Sequence, residues 1–197
     1  MKILLLPLLA LSSLPLFAQM AMDHPAQPGT VAAPERLGTV SFSVSCAADV
    51  QAPFNRGVAL LHDFWYEEAD RQFEEIAKAD PGCAMAHWGA AMSFFHQIWN
   101  RPSESAVAQG WAEIQKAQSP SAKTARERAY IAALSDFYRP GKQGFPERVQ
   151  AYSDAMGKLY GQYPDDIDAG AFYALSLLAA EPTGDTSLSA ERKAWRC

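Results

Sequence analysis

Phe54-Asn55-Arg56-Gly57-Val58-Ala59-Leu60-Leu61-His62-Asp63-Phe64-Trp65 and Trp88-Gly89-Ala90-Ala91-Met92-Ser93-Phe94-Phe95-His96-Gln97-Ile98-Trp99 are the two stretches that decide the fold. Laid over each other, with His62 on His96 and a step of 34 residues, they pair aromatic with aromatic, small with small and Trp65 with Trp99. Self-similarity at a fixed step of this size marks a repeated supersecondary unit. Both copies carry apolar residues at helical spacing. After the first copy, residues 67–79 place Ala69, Phe73 and Ile76 on one helical face, and Asp80-Pro81-Gly82 stops that helix. The unit is therefore a helix, a turn, a second helix and another turn.

Gly57, Ala69, Phe73 and Pro81 follow one another at steps of 12, 4 and 8 residues. This spacing resembles the tetratricopeptide repeat, whose motif has a small residue in the first helix, an Ala and an aromatic in the second, and a closing Pro. Gly57 and Ala69 lack bulk because two helices are expected to cross closely there, with Phe73 and Leu60 filling the space beside the crossing. The expected fold is all-α, a solenoid of antiparallel helix pairs with units at about 50–82, 83–119, 120–164 and an incomplete 165–197. Ala91 and Ala174 stand where Gly57 stands, and Pro164 closes the third unit. The strings around Cys46, residues 56–73, 80–93 and 126–134 together resemble a group of exported bacterial tetratricopeptide proteins of unsettled activity. Those proteins are usually longer, and the half-built fourth unit is what an amino-terminal fragment or a frameshifted product of one would show.

Outward from the repeats, residues 1–21 read as a secretory signal: Lys2, a leucine-rich run from Ile3 to Phe17, then small residues. That run, broken by Pro7 and Pro15, would span only about 22 Å as a helix, against a bilayer core of roughly 30 Å. A membrane span in the mature chain is not expected, and the location implied is periplasmic or secreted. Residues 22–37, rich in Pro, Ala and Gln, read as a flexible leader. From Gly38 to Cys46 apolar and polar residues alternate, which predicts a short strand or strap laid on the first helices. A net charge of -5 with scattered basic residues gives no footprint for nucleic acid.

The chain has no Gly-rich phosphate loop, no Gly-x-Ser-x-Gly elbow, no His-Glu-x-x-His and no Cys-x-x-Cys. No cofactor and no catalytic residue is assigned. Acidic pairs such as Asp165-Asp166 are read as helix-end charge. In a tetratricopeptide stack the first helices line a groove, and the resemblance puts Phe54, Val58, Leu61 and His62 in line with Trp88, Met92, Phe95 and His96. An aromatic groove for a protein or peptide is expected, with Trp88 partly exposed and His62 and His96 facing the same way about 10 Å apart. The competing reading is a metal-binding or hydrolytic protein using His62 and His96 with residues absent from this chain; two His alone leave a zinc site short of ligands. In an oxidising compartment Cys46 and Cys83 would form a crosslink holding the strap on the first unit; two buried thiols are the alternative.

Overall fold

The computed structural model describes residues 36–98, 100–118, 122–141, 144–182 and 184–197. The residues read as a signal sequence, all but the last two of those read as a leader, and Ser119 and Pro120 lie outside them.

Among the described residues the chain is all-helical, with eight α-helices and no strand. After a single 3-10 turn at Ala48–Val50 come α1 (Gln51–His62), α2 (Tyr66–Ala79), α3 (Ala84–Ser93) and α4 (Glu104–Gln118). α5 (Ala125–Tyr138), α6 (Gly144–Gln162), α7 (Ile167–Ala180) and α8 (Ser189–Ala194) follow. Local chemistry sets the bounds. Pro53 falls in the first turn of α1, where its missing N–H costs nothing. Pro81 and Pro140 push the residues before them, Asp80 and Arg139, out of the helical region, with ψ of 88° and 133°. Thr124 and Glu127 form a reciprocal capping box on α5, and Asp166 caps α7 by accepting from the Ala169 N–H.

Each helix packs on the next, and α1 and α5 both also pack on α3. The close approach in the first unit has a specific form. Phe73 of α2 presses its ring against Gly57 of α1 and Gly89 of α3, and a Cβ on Gly57 would come within 2.7 Å of that ring. A Cβ on Gly89 would fall inside it. Gly57 is thus small to admit Phe73 itself, and Ala69 is fully buried beside it. The device recurs where Gly110 of α4 lies under Tyr138 of α5.

Two aromatic clusters make the core. Phe54, Trp88, Tyr130 and Phe172 are linked by ring contacts in one, and Phe95, Phe137, Phe145 and Tyr152 in the other. No helix among the described residues is long and apolar enough to cross a membrane.

Candidate functional site

The segment before α1 forms no strand; it lies extended across the helices as a strap held by side chains. Phe42 is fully buried, with its ring 5.4 Å from Phe54, 5.5 Å from Trp88 and 4.9 Å from Tyr130, one aromatic from each of α1, α3 and α5. The Arg126 guanidinium covers the ring at 4.2 Å. The strap's backbone is read as a peptide's would be. The Phe42 N–H donates to Asn55 Oδ1 at 3.1 Å, the Val44 N–H to Gln51 Oε1 at 3.1 Å and the Ser45 N–H to Glu127 Oε1 at 2.6 Å. Gln51 Nε2 donates back to the Phe42 carbonyl, and Arg126 to the Ser43 carbonyl.

Glu127 is almost fully buried. Burial would push its carboxyl up, but hydrogen bonds from the Ser45 hydroxyl and N–H and from the Thr124 N–H and hydroxyl outweigh this and hold it below the usual range. A disulfide joins Cys46 to Cys83 at the start of α3, with the two Cα atoms 4.9 Å apart, so the crosslink expected from the compartment is present.

A polar girdle closes over the strap. Asp166 accepts from Arg126 Nε at 2.6 Å and from the Tyr130 hydroxyl at 3.0 Å, with its side chain only 8% exposed. Of the acidic pair read as helix-end charge, Asp166 does cap α7 and in addition holds α5. His62 Nε2 lies 3.0 Å from Asp168 Oδ1, and its ring stacks on Phe172 at 4.7 Å, tying the end of α1 to α7. Between the strap and the α6–α7 turn opens a cleft of about 980 Å³, lined by Thr39, Ser41 and Ser43 on one side and Asp165, Ile167 and Asp168 on the other. Among the described residues no hydrogen bond engages the N–H of Ser41 or Ser43, although the Ser43 carbonyl is taken by Arg126.

This arrangement corrects the expected groove. Phe54, Val58, Leu61, Trp88, Met92 and Phe95 are all buried, with Trp88 at 1% exposure: Phe42, Tyr130 and Phe172 cover Trp88, and Phe137 and Tyr152 cover Phe95. They are core. His62 and His96 are not equivalent either. α3 ends at Ser93, three residues short of the register of α1, because Phe95 turns into the cluster with Phe137 and Tyr152. His96 then sits outside the helix at φ 46°, stacked on Tyr66 at 4.4 Å, and burial lowers its pKa.

Among the described residues the one trio at metal-ligand spacing is Cys46, Asp80 and Cys83, whose sulfurs are spent in the disulfide; neither His62 nor His96 belongs to it. Ala91 is buried, and its carbonyl accepts from the Tyr138 hydroxyl at 2.7 Å. Pro81 and Pro164 occupy the turns before α3 and α7. Sequence reasoning missed Arg126 and Tyr130 as the cover of Phe42, and Asp166 and Asp168 as the partners of Arg126 and His62. The one available signal was the strap's alternation, which puts Phe42 on its inward face. Compared with known proteins, the chain matches no family model, no curated protein and no solved structure.

Proposed function

We propose that the chain is an exported helical-repeat scaffold of the tetratricopeptide kind that holds an extended segment of a protein partner. The partner segment lies in the cleft beside the strap, not in the groove of the first helices. Helix-on-next-helix packing, with α3 touching both α1 and α5, supports the repeat reading, and the disulfide fits an oxidising compartment.

One observation carries the binding mode. The inner face already grips an extended peptide, its own strap, by alternate side-chain pockets and backbone amides, which is how extended ligands are recognised elsewhere. With its inner edge spent, the strap offers the Ser41 and Ser43 amides to a second extended segment, and the hydroxyls and carboxylates of the cleft supply further partners.

The test is a photocrosslinking amino acid placed at Ser41, at Asp165 and, as a control, at exposed Glu75 on α2, with capture from an exported-protein extract. Discrete adducts at the first two positions, lost in a Ser43→Pro background that removes one edge amide, are expected. Equal capture at Glu75, or adducts indifferent to Ser43→Pro, would sink the proposal.

A further inference from the structure

Away from the strap, the α1–α2 turn carries three consecutive aromatics, Phe64, Trp65 and Tyr66, followed by Glu67 and Glu68. All five, together with His96, line one open depression of about 480 Å³. The rings are arranged as walls. Tyr66 meets Phe64 edge-on at 6.2 Å between centroids and stacks on His96 at 4.4 Å, while Trp65 is 51% exposed.

Exposing the largest apolar side chain at a turn is unfavourable, and two residues beside it are strained: Phe64 in the turn and His96 after α3 are two of the three described non-glycine residues with positive φ, at 61° and 46°. Both line this depression. The carboxylates have an ordinary helical role, since they sit in the first turn of α2 and complement its dipole. That role does not account for the exposed Trp65 beside three half-buried rings.

The depression has the chemistry of an organic-cation receptor. Aromatic faces attract a diffuse positive charge and favour one that sheds water easily, so a quaternary ammonium suits them better than a hydrated metal ion or a primary amine. The charged groups facing the space are consistent with this. Glu67 is exposed and lies close enough to His96 to act on its ionisation, Glu68 is shared with Arg71 on the outer side, and burial keeps the His96 imidazole inclined to neutrality. Burial also pushes the Tyr66 hydroxyl up to about 12, so that ring stays uncharged.

We infer that Phe64, Trp65, Tyr66 and His96, with Glu67 at the rim, form a binding site for a quaternary ammonium group of the choline type. Trp65 is the exposed wall that closes on the methyl groups, and Glu67 supplies the counter-charge. This site is separate from the strap cleft and does not depend on the function proposed for it.

The experiment titrates the full oxidised chain by calorimetry with tetramethylammonium, with choline and with 3,3-dimethylbutan-1-ol, the neutral isostere of choline. Saturable choline binding is expected, with the isostere at least about tenfold weaker, a loss of about tenfold in Trp65→Ala and about threefold in Glu67→Gln. Circular dichroism checks the fold of both variants; Glu67→Gln and the isostere keep the test decisive if Trp65→Ala unfolds. A free solute and a lipid headgroup share this chemistry. Co-sedimentation with phosphatidylcholine but not phosphatidylglycerol vesicles assigns the site to the headgroup, and choline binding without co-sedimentation assigns it to a solute. No choline binding, equal binding of choline and its isostere, or affinities unchanged in both variants overturns the inference.

Discussion

Helices α3 and α7 are built from similar residues and meet opposite fates. Ala84–Ser93 reads AMAHWGAAMS and Ile167–Ala180 reads IDAGAFYALSLLAA, both small and apolar almost throughout. α3 buries every residue except His87, whereas α7 buries only Ala169, Gly170, Phe172 and Ser176. Neighbours account for the difference. α3 is surrounded by α1, α2, α4 and α5, with the strap's Phe42 on Trp88, while α7 packs mainly against α6 and α8. Composition states how much apolar surface a helix offers; position in the stack states how much is covered.

The largest effect should come at the centre of α3. Trp88→Ala should cost about 3–5 kcal/mol, as truncations of buried Trp do, and the thermal melt should fall steeply. A melt close to wild type would mean that this face is not core. Next comes the crosslink that pins the strap beside α3. Replacing Cys46 and Cys83 by Ser should cost about 3–4 kcal/mol in the chain-entropy model for a separation of 37 residues, read by chemical denaturation.

Glu127→Gln, which disrupts the strap's other attachment, should cost about 1–3 kcal/mol at neutral pH. The wild-type carboxyl is held below its unfolded value, near 4.3, so its contribution is complete above that pH and is lost as pH falls through the folded pKa. Acid melts should therefore drop less steeply in the variant. Parallel acid limbs would show that Glu127 carries no such linkage. The smallest effect belongs to α7: Leu178→Ala, at an exposed position, should cost less than about 1 kcal/mol. A loss as large as that of Trp88→Ala would mean that α7 is covered by something beyond α6 and α8.

The parts of the fold legible in the sequence are those written in local spacing. The helices and turn over residues 51–79, the stops at Pro81 and Pro164 and the cysteine pairing were all readable from residues close together or from the expected compartment. The candidate site was not, because it is made by contacts between distant segments. His62 meets Asp168 across 106 residues and Arg126 meets Asp166 across 40. No local spacing encodes such contacts. The burial of Trp88 was missed for a related reason: its lid, Phe42, comes from the strap before α1, and the likeness of residues 54–65 to 88–99 says nothing about what lies over them. The early end of α3 is decided by where Phe95 finds other rings, again a tertiary choice.

The strap also has a consequence in time. Residues 38–46 precede every described helix, yet Ser45 is held by Glu127 across 82 residues and the Ser43 carbonyl by Arg126 across 83. Contacts this distant form only after the intervening loop entropy has been overcome, which slows folding. As the chain emerges from its amino terminus, the strap has nothing complete to rest on until α5 arrives. The first segment of the domain to be made is thus among the last to be seated, and Cys46 stays open to wrong pairing until Cys83 is presented beside it.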